Sequence, residues 1–587
     1  MKKWFFLAAV ALTAMGLHAE TPLQFRAEAF GNVGTGDLAP YYMMSNNGGV
    51  LTQGKTAAVR AKAWKDFDLS KRFSYSFGVD ALTGYASSTD YMHCFPTEDG
   101  KGEMVPVARR PSAAWLQQLY GAVKYRGVFL SFGMKELNSP LLNTELGSGD
   151  YIQSNNARPM PELRAGFVDF QDIPFTNGWV QIQGEIMYGK YIDGNWLEEH
   201  YNYKQHFINT GIWAHYKRMY FRTKPEKPFS VTVGMQVMGQ YCGNAKTYKN
   251  GVLVKEDPYD VGFDEFLNMF IPGAGGSNFG DSQYVFGNTL GSWDFVARYR
   301  LKDKTELKAY FQWPYEDGTG IGKMNGFDGI WGLEYQNKDP KGIVSGAVVE
   351  YIDFMHQSGP THWAPNDHPG TEMTDHATGG DNYYNNFRYN SYMYYGMSKG
   401  TPFIPSIIYN TDGYMAVVHN RIRGFHAGVS GYIYSPLKYR VLVSYRKSLG
   451  TYGAPLLEPL HDTSFMVEGT YSFPQVKGLD LKGQLLIAHL PLGGQTQILP
   501  FSAAGVRARV ARVILPPERI VLRRVPDHLR IRAHEDVFPP PFELFPGGGI
   551  EDLIVLPAVS KPHIALLSAF DYGVPPSAAL LQMSDAS

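Results

Sequence analysis

The residues with the clearest capacity for molecular recognition form a short run that contains Asn155, Asn156 and Arg158. Each amide offers both hydrogen-bond donors and an acceptor, and the arginine offers a planar cationic fork. Such groups suit the hydroxyls of sugars and the carboxylate or phosphate groups of acidic glycans. We favour a structural interpretation, in which this run lies in a loop that folds into the interior of the protein, and its amides and arginine bond to carboxylates on the surrounding wall of strands. The reason is that a buried polar loop must satisfy its own backbone groups.

A second region of interest is rich in tyrosine. Its members are Tyr383, Tyr384, Tyr389, Tyr392, Tyr394 and Tyr395. Tyrosine rings can act as stacking platforms for sugar rings, and they equally pack loops or line the interface between membrane and water. The sequence alone leaves both interpretations open.

Other combinations of reactive residue types do not form a recognisable site. Four histidines, His356, His362, His368 and His376, share a stretch with several acidic residues, but no ligand spacing repeats. The chain has no Gly-x-Ser-x-Gly motif, and its loop serines, histidines and aspartates show no arrangement typical of a triad. We therefore expect no catalytic residues, no metal and no cofactor, and the net charge of −1 gives no argument for nucleic acid.

The elements that would position these residues are amphipathic strands. In Gly178–Tyr188, apolar residues alternate with Gln181, Gln183, Glu185 and Met187, so one face is apolar and the other mostly polar. Tyrosine or tryptophan often stands near the ends of such segments, as in membrane barrels. The pattern recurs about seventeen times, which predicts an all-β fold: a transmembrane antiparallel outer-membrane β-barrel of about 18 strands.

The predicted connections support this barrel, because short and long ones alternate along the chain, as in barrels with short periplasmic turns and long extracellular loops. Among them are a short turn at Lys217–Pro228, after a strand at Phe207–Tyr216, and a long loop at Ser448–Thr463. Single-chain bacterial barrels have an even number of strands, so the seventeenth strand needs a partner. The last strand is missing or replaced, since the alternation fails after Leu485.

The two ends of the chain differ from the middle. Residues 1–19 read as a signal peptide, with basic Lys2 and Lys3, an apolar Trp4–Gly16 and Ala19 at the cleavage site. Residues 20–486 form the predicted barrel, exported to the outer membrane of a Gram-negative cell and surrounded by its lipid, and we expect a monomer. In that oxidising setting Cys94 and Cys242 either pair or stay free.

Residues 487–587 form an atypical tail rich in proline and arginine. Proline interrupts strand ladders, so this tail is expected to close a barrel poorly. Our hypothesis is a non-native ending, for instance from a shifted reading frame. The alternatives are an appended domain or a disordered tail.

Three stretches resemble the capsule assembly Wzi family, in the same order along the chain. The first is Gly147–Pro161, which contains Ser-Asn-Asn-Ala-Arg-Pro; the second is Glu350-Tyr351-Ile352-Asp353. The third is Gly380–Asn386, which adds Asp381 and Asn382 to the candidate glycan ligands beside Tyr383 and Tyr384. The resemblance covers Leu23 to Leu485.

This resemblance implies an 18-stranded outer-membrane barrel that binds capsular polysaccharide and helps to hold it at the cell surface, without catalysis. Family members described with an N-terminal helical plug differ from this chain, whose Glu28–Asp66 reads as strand, loop and strand because its glycines oppose helix. Two other functions stay open. One is a substrate-specific porin, and the other is an outer-membrane lipid or acyl hydrolase.

Overall fold

The wall of the protein is a cylinder of eighteen antiparallel strands. They are seen in a computed structural model that describes residues 22–200, 205–270, 287–316, 323–360, 362–365, 375–489 and 504–514. In chain order the strands are β1 Gln24–Leu38, β2 Gln53–Lys65, β3 Phe73–Ala86, β4 Ala114–Tyr125, β5 Val128–Met134, β6 Glu162–Phe167, β7 Val180–Lys190, β8 Trp213–Thr223, β9 Phe229–Tyr241, β10 Asn288–Arg300, β11 Glu306–Tyr315, β12 Gly329–Gln336, β13 Gly346–Asp353, β14 Ile422–Tyr434, β15 Leu437–Gly450, β16 Pro455–Ser472, β17 Asp480–His489 and β18 Ala504–Ile514.

Each strand pairs with the strands before and after it in this order, and the last strand, β18, pairs with β1. The cylinder is closed by β1, which pairs with β2 on one edge, with Phe25 opposite Ala63, and with the last strand, β18, on the other, with Phe25 opposite Val513. On its other edge β18 pairs with β17, where Arg509 lies opposite Asp480. A two-residue strand, Gln171–Asp172, extends the pairing of β6 with β7.

The closing strand comes from the atypical tail, so the last barrel strand is replaced rather than missing. The expectation that this tail closes a barrel poorly is corrected at Ala504–Ile514, which contains no proline and supplies backbone partners to both neighbours. Whether the tail is the native ending stays a hypothesis. Residues 515–587 and the predicted signal peptide at 1–19 lie outside the described residues.

The wall has an apolar outer face and a polar inner face. On β13, Val349 is 56% exposed while the next residue, Glu350, is 0% exposed. On β5, Val128, Leu130 and Phe132 are all exposed. A closed antiparallel cylinder with an apolar exterior is a transmembrane β-barrel, since closure leaves no unpaired strand edge in lipid.

No helix among the described residues is long and apolar enough to cross a membrane. The described helices are short: α1 Tyr41–Met44, α2 Gly194–His200 and α3 Phe263–Phe270, with one 3₁₀ turn at Ile407–Tyr409. Between β1 and β2 the chain is strand, loop and strand, with α1 as the only helix described there. The prediction for Glu28–Asp66 is confirmed.

From β1 to β15 short and long connections alternate as predicted, and they range from the two residues 126–127 to the long segment 354–421. The long ones carry small sheets of their own: Thr89–Phe95 with Glu103–Arg109, the three strands Gln205–Thr210, Gly243–Lys249 and Val252–Tyr259, His362–Pro365 with Asp375–Thr378, Asn385–Asn386 with Asn390–Ser391, and Met393–Tyr394 with Met397–Ser398.

Three predicted segments are wrong. The single strand expected at Phe207–Tyr216 is two strands in different sheets, and the turn expected at Lys217–Pro228 begins only after β8 ends at Thr223. The long loop expected at Ser448–Thr463 is short, because β15 and β16 stay paired up to Gly450 opposite Pro455. Cys94 and Cys242 are both buried and form no disulfide with each other.

Candidate functional site

The segment Gly147–Pro161 lies inside the barrel, in the connection between β5 and β6. The wall holds it through specific hydrogen bonds. The backbone N–H of Ser148 donates to Glu350 Oε2 at 2.7 Å, and that of Tyr151 donates to Gln312 Oε1 at 3.1 Å. This loop is therefore folded inward, as the structural interpretation requires.

The tyrosine-rich segment lies against it, although it comes from the connection between β13 and β14. Ser154 donates through its backbone N–H to the Lys399 oxygen at 3.0 Å and through Oγ to the Gly400 oxygen at 2.6 Å. The Tyr392 hydroxyl donates to the Ile152 oxygen at 2.8 Å. Together, residues 147–160 and 380–401 form one inward-folded body, which we call the plug.

The second stretch of the resemblance, which contains Glu350, also meets the plug. Glu350 on β13 accepts from Ser148 and from the Tyr310 hydroxyl, the latter at 2.5 Å. Three stretches that are far apart in the sequence therefore come together in the lumen, the interior of the barrel.

Most of the predicted tyrosines serve the packing of the plug. Tyr383 and Tyr384 are 0% and 1% exposed, and their ring centroids lie 5.7 and 5.2 Å from that of Tyr151. The hydroxyl of Tyr383 accepts a hydrogen bond from Asn325 at 2.9 Å. Both rings are buried in this structure, so they are not presented as stacking platforms, and glycan binding by them stays a prediction.

Asp381 and Asn382 lie at the start of the same segment. Asp381 is buried and accepts from the Ser358 hydroxyl at 2.6 Å, so it holds the loop. Asn382 is exposed, and its Oδ1 accepts from Asn385 Nδ2 at 3.0 Å. Asn382 is therefore the more accessible of the two to a ligand.

The two signature asparagines have different roles. Asn156 is 0% exposed; its Nδ2 donates to the Ser398 oxygen at 3.0 Å and hydroxyl at 2.9 Å, and its Oδ1 accepts from the Asn46 N–H at 3.1 Å. The side chain of Asn155 is partly exposed and lines a cavity in the plug. Asn156 fastens the plug, whereas Asn155 faces space that a ligand can use.

Arg158 lines the same cavity and is held between two aromatic rings. Its guanidinium carbon lies 4.2 Å from the ring centroid of Trp115 and 4.6 Å from that of Tyr395. Stacking of this kind orients a planar cation while leaving its N–H groups for in-plane partners. The interpretation in which the arginine ties wall carboxylates together is wrong for Arg158, which makes no ion pair with any described residue.

Two lysines, Lys135 and Lys399, also line this cavity. The ammonium of Lys135 lies 4.8 Å from the ring centroid of Tyr120, and that of Lys399 lies 5.8 Å from that of Tyr394. Across the described chain neither ammonium forms an ion pair. We call the cavity bounded by Lys135, Asn155, Arg158 and Lys399 the cation cavity.

Other charged side chains near the cation cavity do form ion pairs. Arg164, also at the edge of the cation cavity, donates to Glu162 at 2.8 Å and pairs with Glu185. Glu136 accepts from Arg60 at 2.7 Å. The carboxylates around the cavity are thus already bonded to other cations, which leaves three positive side chains uncompensated.

Burial has a clear electrostatic effect at this site, because it disfavours the charged form of a base. It lowers the pKa of Lys399 to about 8 and that of Arg158 to about 10. The cavity has a volume of about 40 Å³, and a water needs roughly 10–15 Å³ on this measure, so a few waters or one carboxylate-sized group fit. The arrangement is suited to an anion.

Sequence reasoning missed Lys135, Lys399 and Trp115. None lies in a motif, and no local pattern marks them, because they come from separate parts of the chain: Lys135 and Lys399 lie in the connections after β5 and β13, and Trp115 lies on β4. Among the described residues no group of three or more histidine, cysteine, aspartate or glutamate side chains could hold a metal ion.

No family model matches the chain, and no curated protein matches it. Among solved structures it is similar to Wzi of Escherichia coli, described as an outer membrane protein involved in group 1 capsule assembly and as a carbohydrate-binding beta-barrel. They share 13% sequence identity; the match covers 86% of this chain and 87% of that one, with a TM-score of 0.48.

The chain is also similar to two Occ proteins. For OccAB2 of Acinetobacter baumannii the identity is 9%, the coverage 84% and 97%, and the TM-score 0.40. For OccK3 of Pseudomonas aeruginosa the identity is 10%, the coverage 84% and 96%, and the TM-score 0.37. At these TM-scores the similarities carry no argument about function, and the β-barrel rests on this chain's own strand pairings.

Proposed function

We propose that this protein is an outer-membrane barrel that holds an acidic capsular polysaccharide at the cell surface by binding its anionic groups in the cation cavity. The observation that carries the proposal is the set of three uncompensated cations, Lys135, Arg158 and Lys399, around one cavity of the plug. The sequence resemblance to capsule assembly proteins supports polysaccharide as the partner, and the predicted signal peptide together with the apolar wall supports an outer-membrane location surrounded by lipid.

The physical reason is the cost of unpaired charge. A cation that is partly removed from water without a partner is disfavoured, and an anion that enters the site recovers that cost. Arg158 offers its fork to a carboxylate or phosphate in the plane of the guanidinium, and Asn155 offers an amide to a neighbouring hydroxyl. A repeating polysaccharide presents such groups in every repeat, so weak individual sites can act together along a strand.

We infer that the role is binding without catalysis and that the barrel works as a monomer. Prolonged incubation of purified protein with the polysaccharide, followed by sizing of the glycan, tests the first point. Unchanged chain length is expected, and shortened or deacylated product would overturn it.

The decisive experiment compares cell-bound with shed capsule. The gene is deleted in its host and restored as wild type, as the double variant Arg158→Ala/Lys399→Ala, or as the control Arg421→Ala. Arg421 is a suitable control because its guanidinium also stacks on a ring, Tyr452 at 4.0 Å, but lies outside the cation cavity. We expect deletion and the double variant to release capsule into the medium with total synthesis unchanged, and the control to retain it.

An in vitro comparison isolates the anionic group. Purified barrel is titrated with the host polysaccharide and with the same polysaccharide after chemical reduction of its carboxyl groups. Binding that is lost on reduction supports the cation cavity as the site. Equal binding of both polymers means that the anionic part of the proposal is wrong, even if capsule retention holds.

A substrate-specific porin is the second candidate, and one observation favours it. A polar chamber of about 560 Å³ lies between the plug and the wall, and its lining includes Glu145, Arg440, Glu468 and Lys482. Single-channel recording in a planar bilayer tests this function. Steady conductance that a specific solute blocks would favour the porin, and a silent bilayer with retained glycan binding would favour the capsule role.

A further inference from the structure

Helix α3, Phe263–Phe270, lies against the outside of the barrel and not within its lumen. It belongs to the connection between β9 and β10 and folds back along the wall. The ring of Phe266 stacks on Tyr188 of β7 with centroids 3.9 Å apart. Met269 is buried over Gly239 of β9, where an added Cβ would lie 1.9 Å from the Met269 methyl carbon.

These wall positions belong to the apolar outer face. Side chains alternate along a strand, so Gly239 shares its face with Phe229 and Val233, which are 57% and 38% exposed. Tyr188 follows Ile182 and Ile186 on the outer side of β7. The helix therefore covers part of the surface that the barrel otherwise presents to lipid.

Beneath α3 the outer face carries two residues that lipid disfavours. His215 and Lys217 of β8 share a face with the exposed Met219 and Phe221, so they also point outward. Basic side chains on the lipid face of a barrel are destabilising. Here His215 is 0% exposed beside the Phe270 ring, and Lys217 Nζ donates to the Phe270 carbonyl oxygen at 2.7 Å.

A flank of the helix, next to the side that meets the wall, is apolar and exposed. Phe263, Leu267 and Phe270 are 73%, 40% and 44% exposed. At 100° per residue these three side chains share one stripe, about 90° around the helix from the wall-facing Phe266 and Met269, while Asn268 lies roughly opposite the apolar residues. The helix thus covers the two polar wall residues, His215 and Lys217, and presents an exposed apolar stripe next to the lipid-facing surface of the wall.

We propose that α3 is an interfacial helix that inserts its Phe263, Leu267 and Phe270 side chains among the acyl chains of the outer leaflet. The leaflet follows from the topology, because α3 is in a long connection and long connections are extracellular in barrels of this class. Continuity with the apolar wall favours lipid over a second copy of the chain. This surface is independent of glycan binding in the cation cavity.

Spin labelling tests the proposal. Leu267→Cys and the matched control Asn268→Cys are each labelled with a nitroxide and reconstituted in palmitoyl-oleoyl phosphatidylcholine vesicles. Labelled wild type corrects for Cys94 and Cys242, and retained β-sheet circular dichroism shows that each variant folds. Collision rates with oxygen, which concentrates in lipid, are compared with those of a water-soluble nickel chelate.

We expect the ratio of oxygen to nickel collisions to be severalfold higher at position 267 than at 268. Equal nickel access at both positions would mean that the helix faces water, and it would overturn the proposal. Spin–spin broadening at 267 that disappears on dilution with unlabelled protein would show that a second copy covers the stripe, and it would overturn the proposal as well.

Discussion

The side-chain amide of Asn156 donates to both the backbone oxygen and the hydroxyl of Ser398, at 3.0 and 2.9 Å. This contact joins the connection after β5 to the connection after β13. Because Asn156 is fully buried, its polar atoms depend on these partners and on the Asn46 N–H. Asn156 is therefore one of the residues that join the two connections of the plug, whereas its sequence neighbour, Asn155, faces the cation cavity.

Substitution of the two asparagines should separate stability from binding. Asn156→Ala leaves buried donors and acceptors unpaired, and each unpaired group costs about 1–3 kcal/mol. We expect faster hydrogen–deuterium exchange across residues 398–401 and earlier loss of the plug in urea. Asn155→Ala should leave exchange unchanged and weaken polysaccharide binding. Matching exchange profiles in the two variants would contradict this division of roles.

The pH dependence of binding should report Lys399. Burial lowers its pKa to about 8, so the free protein loses this positive charge as the pH rises through that value. Affinity for an acidic polysaccharide should therefore fall between pH 7 and pH 9. Lys399→Arg keeps its charge over this range, and its affinity should stay flat. A parallel fall in wild type and variant would assign the pH dependence to another group.

Arg158 should contribute geometry as well as charge. Arg158→Lys keeps a cation but loses the planar fork and much of the stacking on Trp115 and Tyr395, which is worth roughly 0.5–2 kcal/mol per ring. We expect Arg158→Lys to bind polysaccharide more weakly than wild type but better than Arg158→Ala. Titrations at low and high ionic strength should show that only Arg158→Ala has a reduced salt dependence. Equal affinities for the two variants would mean that charge at this position is irrelevant.

The strands were predictable because their signal is local. In Gly178–Tyr188 alternate residues face lipid and lumen, and the structure places β7 at Val180–Lys190. The same alternation predicted a single strand at Phe207–Tyr216, and this prediction is wrong. Gly211 adopts a φ of +64° there and separates two strands of different sheets. Alternation continues across such a bend, so periodicity alone cannot detect it.

The candidate site was predictable only in part. The signature run drew attention to Asn155 and Arg158, and both line the cation cavity. Lys135 and Lys399 reach the same cavity from different connections, and no spacing in the chain encodes that meeting. The burial of Tyr383 was likewise undecided in the sequence, because a tyrosine-rich loop has the same composition whether it covers a surface or fills a lumen.

A buried ion pair in the wall provides a stability test that is independent of function. Arg446 of β15 pairs with Asp462 of β16, and their side chains are 2% and 0% exposed. Asp462→Ala leaves a buried guanidinium unpaired beside Tyr41, which should cost about 3–5 kcal/mol of unfolding free energy. The control Asp99→Ala breaks the exposed pair with Lys101 and should leave the unfolding free energy almost unchanged. Urea unfolding in lipid vesicles measures both, and similar midpoints would show that the barrel tolerates the buried charge.

Closure of the barrel through β18 leads to a prediction about the tail. A chain that stops at Pro517 keeps Ala504–Ile514 and should insert into vesicles, whereas a chain that stops at Pro491 leaves β1 and β17 with open edges. Each unpaired backbone group in hydrocarbon costs several kcal/mol, so the shorter chain should fail to assemble. In the strand register, Arg507 of β18 lies opposite Phe30 of β1 on one edge and opposite Lys482 of β17 on the other. Within the longer chain, Arg507→Pro should therefore block assembly while Arg507→Ala permits it, as read from protease resistance of the inserted barrel. Efficient insertion of the chain that stops at Pro491 would show that β17 and β1 close the barrel without β18.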